Sequence, residues 1–300
     1  LSESIGKLPL KLMQHTADGG VVKASKHYLY NLVKDHPNPF MTSTSFWGAV
    51  EYNRNHYGNA YVLIKKPFSS NTSLWILPSD KVEIWYDDKR LLSDVPKLWY
   101  IYTDDKTGGK YKYSHEQIMH FKSSTTFDGI TALSVAETLV TTVEGAQKAE
   151  KLLGKMYENG FVARAAVQYT GNLNEANAAE FAKVMTKFAR GEHTGAEAFI
   201  PIPLGAEIKP LNINFTDAQF LEIKKYTALQ IAAAFGIKPN QINDFEKSSY
   251  ASAEAQQLAF YVDTLLYILK QYEEELTYKL LSDEERASGL YFKFNVSVIL

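Results

Sequence analysis

The 300-residue sequence contains no cysteine. This absence excludes disulfide frameworks, thiol catalysis and thiolate metal sites, and it is typical of proteins that stay in a reducing cytosol. Long apolar runs are also missing, so we expect no transmembrane helix. The N-terminal stretch LSESIGKLPLKLM lacks the apolar core of a signal peptide. The sequence therefore predicts a protein of intracellular origin with no membrane partner.

An excess of one charge is missing as well. The 32 basic and 34 acidic residues give a formal net charge of −2. Sequence-specific DNA readers need a basic surface to neutralise phosphates, and this composition disfavours that class. The charge balance remains compatible with a protein that DNA moves past and that binds this DNA only weakly. With 45% hydrophobic and 22% charged residues, we expect one large globular domain or two to three small ones.

Familiar catalytic and metal-binding motifs are likewise missing. In HEQIMH, His115 and His120 would lie about 140° apart on a helix, and the apolar pattern favours a strand, so both are predicted to be surface or packing residues. The stretch TGGKY lacks the first glycine and the hydroxyl residue of a phosphate-binding loop, and we predict a hairpin turn there. Neither a metal site nor a cofactor is expected.

Two acidic pairs are the remaining candidates for acid–base chemistry: Asp87-Asp88 and Asp104-Asp105. Each pair lies in a turn-like sequence, where aspartate is favoured because its side chain bonds to nearby backbone amides. The structural role is the favoured interpretation. No catalytic residue is predicted.

The first third of the chain combines an amphipathic helix with short aromatic strands. The helix is expected to start near the cap candidates Thr42, Ser43 and Thr44 and to end at Gly58. The predicted strands are NAYVLIKK, LWILP, KVEIWY, KLWYIYT and QIMHFK. Turn signals separate them, so the pattern predicts an α+β domain dominated by antiparallel hairpins.

Long helices and a small insert follow. Apolar residues at helical spacing predict helices over 131–159, 216–236 and 253–281, and residues 161–212 have a β-α-β-β pattern. The second helix is apolar on two faces, one of which includes Tyr226 and Leu229, so we expect it to be buried on more than one side, within the chain or between subunits.

The third helix has a predicted packing seam and an acidic run. The run Glu273-Glu274-Glu275 is predicted to be a solvated face. The seam residues alternate at four-three spacing. They are Leu258, Val262, Leu265, Leu269, Tyr272 and Leu276.

The sequence ends in YFKFNVSVIL, where apolar and polar residues alternate as in a half-buried strand. This strand has no polar exit after Ile299-Leu300, and the chain starts at Leu1 without methionine. We expect more chain in the parent protein.

Six stretches in a fixed order carry a family resemblance. They are HPNPFMTSTSFW with YGNAYVLI, ILPSDKVEI, QIMHFKSSTTFDGITALSVAETL, YENG, DAQFLEIKKYTALQIAAAFGIKPNQIND and SYASAEAQQLAFYVDTLLYILKQYEEELTYKLL. Together they cover most of the chain, which resembles the portal proteins of tailed bacteriophages of the long-tailed, lambdoid-like branch. The chain departs from the family pattern near Ser252, where many relatives carry asparagine, and within 161–212.

The resemblance implies the α+β phage-portal fold in a ring-forming subunit. It implies the following division of the chain: 1–127 wing, 128–160 stem helix, 161–212 clip, 213–238 second stem helix, 239–252 tunnel loop, and 253–300 long wing helix with a terminal strand. The C-terminal crown of the family is expected to be absent.

The function implied by the resemblance is that of a non-enzymatic, homo-oligomeric ring, usually a dodecamer, at one vertex of the virion capsid. Double-stranded DNA passes through its channel during packaging and ejection. The implied protein partners are terminase, capsid proteins and the head–tail adaptor, and assembly is expected in the cytoplasm of the bacterial host.

Two groups of residues are candidates for these contacts. The polar loop after Pro239 is expected to touch DNA weakly and without sequence preference, although an ordinary solvent loop is the alternative. Its residues are Asn243, Asp244, Glu246, Lys247, Ser248, Ser249 and Tyr250. In the clip, a glycine-flanked turn is a candidate partner contact, with a plain connecting loop as the alternative. Its residues are Arg190, Glu192 and His193.

Rival classes remain open from the residues alone. One is a cytosolic enzyme with an unrecognised active site, which would need a convergent set of acids or histidines in a pocket. Another is a capsid-associated structural adaptor that carries no DNA. Assembly of a ring with a hole about as wide as a duplex distinguishes the portal from both.

Overall fold

The computed structural model describes residues 1–87, 97–158, 164–169, 179, 183, 206–211, 217–244 and 250–297. The chain divides into two compact units: a first unit of Leu1–Leu139 and Ala232–Leu300, and a second unit of Val140–Ile231. The second unit is thus an insertion in the sequence of the first. Both helices and antiparallel strands occur, which confirms the predicted α+β class.

A small sheet in the first unit joins the two ends of the chain. Helix α1 (Ser2–Lys7) precedes β1 (Leu10–His15), which pairs antiparallel with β2 (Val21–Lys23) and with β11 (Leu290–Phe294). In this register Leu10 lies opposite Phe294 and Leu12 opposite Phe292, and all four are buried. The alternation predicted at the end of the sequence is confirmed for 291–294 only, because the strand ends at Phe294. Its partner strand β1 was not predicted.

Helices α2 (Tyr28–Lys34) and α3 (Ser43–Tyr57) pack on the main core, the cluster of buried side chains that also contains the inner residues of β1 and β11. Helix α3 starts after Thr42, buries Phe46 and Trp47, and ends at Gly58 as predicted. Gly58 has φ +75°, and a Cβ there would lie 2.5 Å from the carbonyl carbon of Leu133. Both the backbone conformation and this close approach require glycine.

The central sheet consists of β3 (Asn59–Lys65), β4 (Ser73–Leu77) and β8 (Ile118–Lys122), with β3 in the middle and all pairs antiparallel. Alternate residues of β3 point to opposite faces. Val62 belongs to the main core with α3, whereas Tyr61 and Leu63 belong to a second cluster with Tyr100. Burial on both faces explains why the NAYVLI stretch is apolar without alternation.

A second antiparallel sheet contains β5 (Val82–Tyr86), β6 (Leu98–Thr103) and β7 (Lys110–Ser114). Its buried side chains form the second cluster against the central sheet. The β6–β7 connection is a tight turn in which the Asp104 amide donates to the carbonyl of Gly109 at 2.9 Å. The prediction of a hairpin turn at TGGKY is confirmed.

The helix predicted from residue 131 begins later. The Asp128 carboxylate accepts from the backbone amides of Ile130 and Thr131, both at 2.8 Å, and this holds residues 128–131 in a loop. A capping box between Ser134 and Glu137 then starts α4 (Val135–Thr138), which is followed by α5 (Val140–Glu158). The predicted start was wrong because these side chains compete for the backbone amides.

The described part of the second unit contains α5, β9 (Arg164–Tyr169), β10 (Ala206–Leu211) and most of α6 (Asp217–Ala234). Strands β9 and β10 pair antiparallel, which confirms two of the strands predicted for 161–212. Apart from residues 179 and 183, which are helical, the rest of the predicted β-α-β-β insert lies outside the described residues. Lys224 of α6 forms an ion pair with Glu150 of α5 at 3.3 Å.

The third long helix is interrupted by a π-helical turn. Helix α7 (Tyr250–Phe260) leads into the π turn Tyr261–Leu265, then α8 (Leu266–Leu280) and the short α9 (Asp283–Ala287). The seam prediction is wrong at Leu258 and Val262, which are 53% and 50% exposed, because the π turn inserts one residue and rotates the preceding segment. None of the described helices is long and apolar enough to span a membrane.

The prediction of a solvated acidic face is wrong for two of the three glutamates. Glu273 is 7% exposed, accepts from the Phe294 amide at 3.0 Å and pairs with Lys293 at 2.7 Å. Glu275 accepts from the His120 amide at 2.9 Å. Helix α8 packs against both β11 and β8, so the carboxylates of Glu273 and Glu275 each reach a strand that sequence spacing does not reveal. Glu274 alone is solvated, with its side chain 65% exposed.

Candidate functional site

The candidate loop leaves α6 through a glycine-dependent turn. Gly236 has φ +69°, and its amide donates to the carbonyl of Ala233 at 2.9 Å. The Ile237 amide donates to the carbonyl of Ala232 at 2.8 Å, so the two bonds together form a Schellman motif. Ile237 packs on the main core. The predicted helix end at Gly236 is confirmed, and the start of the loop is fixed to the first unit.

A short 3₁₀ turn, Pro239–Ile242, forms the next part of the loop. The Gln241 side chain accepts from the Lys238 amide at 3.1 Å, and the Asp244 amide donates to the carbonyl of Pro239 at 3.0 Å. Asn243 is exposed and has φ +61°, a conformation that asparagine tolerates well. We call residues 236–244 the loop base. It is ordered by its own hydrogen bonds.

The structure describes only part of the predicted DNA-contact group. Asn243 and Asp244 lie in the loop base, and Tyr250 is the first residue of α7. The remaining four lie outside the described residues: Glu246, Lys247, Ser248 and Ser249. Helix α7 thus starts before residue 253, where the sequence predicted it, so the described loop is shorter than 239–252.

The loop base is held by residues of the third long helix that the sequence analysis missed. The Thr264 hydroxyl donates to the Gly236 carbonyl at 2.7 Å, and Asp263 pairs with Lys238 at 2.9 Å. The Asn240 amide donates to the side-chain oxygen of Gln256 at 3.3 Å. The one available sequence signal is the Val-Asp-Thr run inside a helix, because all three are weak helix formers.

A cavity of about 400 Å³ adjoins the loop base in the first unit. Its walls include Gly236, Thr264, Tyr267, Asn55 and Arg54. Arg54 is already engaged, because its guanidinium forms two 2.8 Å bonds with the carboxylate of Glu51 and donates to the Lys122 carbonyl at 3.0 Å. Two hydroxyls of the wall are engaged as well, because Ser123 donates to the Leu133 carbonyl at 2.6 Å and Thr264 to the Gly236 carbonyl at 2.7 Å.

The buried ionic network around Glu51 is a second feature that the sequence analysis missed. Glu51 and Tyr272 are 0% exposed and Arg54 is 4% exposed. The Glu51 carboxylate also accepts from Asn55 at 2.8 Å and from the Tyr272 hydroxyl at 3.0 Å. Burial lowers the pKa of Arg54, but the bonds and charge of Glu51 outweigh it and the pKa is raised overall. This network joins α3 to α8 and stabilises the first unit.

His120 is a packing residue, as predicted. It is 5% exposed, and burial lowers the pKa of its imidazole from 6.5 to about 3. The Tyr100 hydroxyl lies 3.1 Å from Nδ1, and the Asn59 side-chain oxygen lies 3.0 Å from Nε2. Since a neutral histidine has one donor and one acceptor nitrogen, Nε2 donates to Asn59 and Nδ1 accepts from Tyr100.

The other candidates for chemistry have structural roles or lie outside the described residues. The Asp104 carboxylate accepts from the Lys106 amide at 3.1 Å and the Thr107 hydroxyl at 2.8 Å, and these bonds lower its pKa. Asp105 pairs with Lys81 at 3.2 Å. Within the described ranges, no group of three or more histidine or acidic residues is placed to hold a metal ion. The clip residues Arg190, Glu192 and His193 lie outside the described residues, as does Asp88.

Comparison with known proteins gives a match over the whole chain. The model of a family described as phage portal protein matches residues 1–300. The portal protein of Enterobacteria phage HK97 is 24% identical over 276 residues, which cover 91% of this chain and 62% of that protein.

Two solved structures share the fold. The HK97-family phage portal protein from Corynebacterium diphtheriae superposes with a TM-score of 0.68 at 13% identity, covering 100% of this chain and 90% of that one. A chain of the neck of a native gene transfer agent particle, computed with C12 symmetry, gives a TM-score of 0.63 at 21% identity, covering 99% of this chain and 78% of that one. At these identities the likeness establishes the fold.

Proposed function

The chain belongs to the phage portal protein family, whose model matches it from end to end, and we propose that it is one subunit of a non-enzymatic ring through which double-stranded DNA enters and leaves a capsid. The observation that carries this proposal is the whole-chain match. The loop base between α6 and α7 supports it, because the polar residues of this loop fit the wall of a DNA channel. The proposed role needs no chemistry from the chain.

The composition of the loop suits a contact with a moving polyanion. A tight, high-affinity contact would stall DNA, so the loop requires small and polar residues with few positive charges. Lys247 and Tyr250 are proposed to contact DNA phosphates transiently, while the negative charges of Asp244 and Glu246 keep the affinity for DNA low. Contacts to phosphate carry no sequence information, so DNA of any sequence passes equally well.

We assign the parts of the subunit by family resemblance. Residues 1–127 form the wing, 128–160 and 213–238 the stem helices, 161–212 the clip, 239–252 the tunnel loop and 253–300 the long wing helix with the terminal strand. The compact second unit, Val140–Ile231, supports a separate stem-and-clip region, because the chain itself divides near these limits.

Self-association into a ring of twelve is the proposed assembly. The C12 symmetry used for the structurally similar neck particle supports this number. Closed rings need heterologous contacts between copies. Tyr226 on α6 is 64% exposed in the single chain, and its helix was predicted to be apolar on a second face, which is compatible with such a contact.

The proposed partners besides DNA are terminase, capsid proteins and a head–tail adaptor. The clip turn with Arg190, Glu192 and His193 is the proposed contact for terminase and then for the adaptor. The proposed location is the portal vertex of a virion, after assembly in the host cytoplasm.

Electron microscopy of the purified chain, with mass photometry alongside, tests the ring. Rings with a central hole about as wide as a duplex are expected. A chain that stays monomeric at high concentration, also when extended by the segments that its longer relatives carry, would contradict the portal assignment and favour the enzyme alternative.

DNA packaging tests the loop. Replacing Lys247 and Tyr250 together by alanine is expected to change packaging without loss of rings. The matched control replaces Lys110 and Tyr111, an exposed pair of the same types on β7. Unchanged packaging by the loop variant, or an equal effect of the control, would count against the channel role of the loop.

A further inference from the structure

The π turn Tyr261–Leu265 is an unusual element in an otherwise regular helix. A π turn has one residue more than an α turn, so it acts as a one-residue insertion that rotates the preceding segment by about 100°. The downstream side is fixed in the main core by Leu265, Ile268 and Leu269. The rotation therefore changes the orientation of the residues before Leu265. The exposure of Leu258 and Val262 results from it.

The side chains on and before the π turn contact alternate residues of the loop base. Thr264 bonds to Gly236 at 2.7 Å, Asp263 to Lys238 at 2.9 Å, and Gln256 of α7 to Asn240 at 3.3 Å. Gly236 and Thr264 are also in close steric contact, because a Cβ on Gly236 would lie 2.5 Å from the Thr264 hydroxyl oxygen. The loop base is thus tied to the π turn by hydrogen bonds, charge and shape.

We propose that the π turn is the device that positions the loop base, with Asp263 and Thr264 as its positioning residues. In an uninterrupted α-helix the register would be shifted by one residue, and these two adjacent side chains would not both face Gly236 and Lys238. The proposal rests on the proposed function only where the loop base is taken to line a DNA channel. The positioning itself is a property of the single chain.

Each of these interactions is weak by itself. The loop base can therefore separate from the third long helix while that helix stays folded. The Asp263–Lys238 pair is half-exposed, with side-chain exposures of 58% and 28%, and salt screens such pairs. The bond from Thr264 is a single neutral hydrogen bond. Loss of one such bond corresponds to a roughly two- to tenfold change in an opening equilibrium.

Amide hydrogen exchange of the full chain tests the positioning by Thr264. Thr264→Val keeps the shape and removes the hydroxyl, and it is expected to speed exchange of the Gln241, Asn243 and Asp244 amides about two- to tenfold. Thr264→Ser keeps the donor and is expected to exchange like the wild type. Exchange in β3 is expected to be unchanged in both variants.

Equal exchange in the valine and serine variants would overturn the proposal. So would faster exchange that spreads to β3, because Thr264 would then contribute to general stability and not to the position of the loop. Asp263→Asn is expected to remove the part of loop-base protection that salt weakens in the wild type. Salt sensitivity that persists in this variant would overturn the role of Asp263.

Deletion of the exposed Val262 tests the π turn itself. Removing one residue is expected to restore an α-helical register and to speed loop-base exchange more than Thr264→Val does. A deletion variant with wild-type exchange at the loop base would overturn the role of the π turn. These experiments need no ring, so a chain that forms no rings would contradict the proposed function while exchange still decides the positioning.

Discussion

The Glu51 network offers the sharpest prediction about stability. Glu51→Gln keeps nearly the same side-chain shape but removes the negative charge. Arg54, which is 4% exposed, would then be a buried cation whose two 2.8 Å bonds to the Glu51 carboxylate are lost or weakened. Removing one partner of a buried ion pair typically costs about 3–5 kcal/mol, because the other charge stays buried without compensation.

Two related variants separate the ion pair from the hydrogen bonds around it. Tyr272→Phe removes a single donor to the Glu51 carboxylate, and a bond to a charged group is worth about 1.5–3 kcal/mol. Replacing Glu51 by leucine and Arg54 by methionine removes both charges. This pair is expected to be less destabilising than Glu51→Gln, because apolar replacement of a whole buried pair is often neutral.

Urea unfolding at pH 7 measures these differences. The matched control is Glu274→Gln, the same substitution on a glutamate whose side chain is 65% exposed, and surface changes of this kind shift stability by about 0.5 kcal/mol or less. The reasoning would be refuted if Glu51→Gln stayed within about 1 kcal/mol of the wild type. It would also be refuted if the double apolar variant lost more stability than the single charge removal.

Two further predictions concern His120 and Gly58. Because burial lowers the pKa of His120 from 6.5 to about 3, protons bind the unfolded state first, so its contribution is complete above pH 6.5 and falls toward pH 3. Between pH 7 and pH 5, the free energy of unfolding in urea should fall by about 2 kcal/mol less for His120→Gln than for the wild type. Equal decreases would contradict this. Gly58→Ala is expected to cost about 2–5 kcal/mol, whereas Gly129→Ala, with a similar positive φ but open space around it, should cost only about 1–2 kcal/mol. Equal unfolding free energies for the two alanine variants would show that the approach of Leu133 is not limiting.

Much of the local structure could be predicted from the sequence. Helix α3 follows from its cap candidates, its apolar spacing and Gly58. In the central sheet and the β5–β6–β7 sheet, every strand except β7 follows from short aromatic runs between turn residues. The end of α6 at Gly236 is marked by a glycine shortly before a proline. These signals are local, because steric limits and hydrogen bonds within a few residues determine them.

The errors have different physical causes. The helix predicted from residue 131 starts later because Asp128 bonds to nearby backbone amides, and Ser134 then caps α4. The seam of the third helix fails at Leu258 because a π turn shifts its phase. The run at 273–275 looks solvated by composition, yet Glu273 is buried against β11. This last error depends on which distant segment packs against the helix, and spacing along the chain carries no such information.

The candidate site shows the same division. The sequence by itself determined the family, through six resembling stretches in a fixed order. Composition and periodicity determined the class of fold, many of the helices and strands and the polar character of the loop after Pro239. Only the tertiary structure decided that Asp263 and Thr264 hold the loop base and that Glu51 and Tyr272 meet across the core. Such contacts join residues far apart in the chain, and they exist only once packing has brought two elements together.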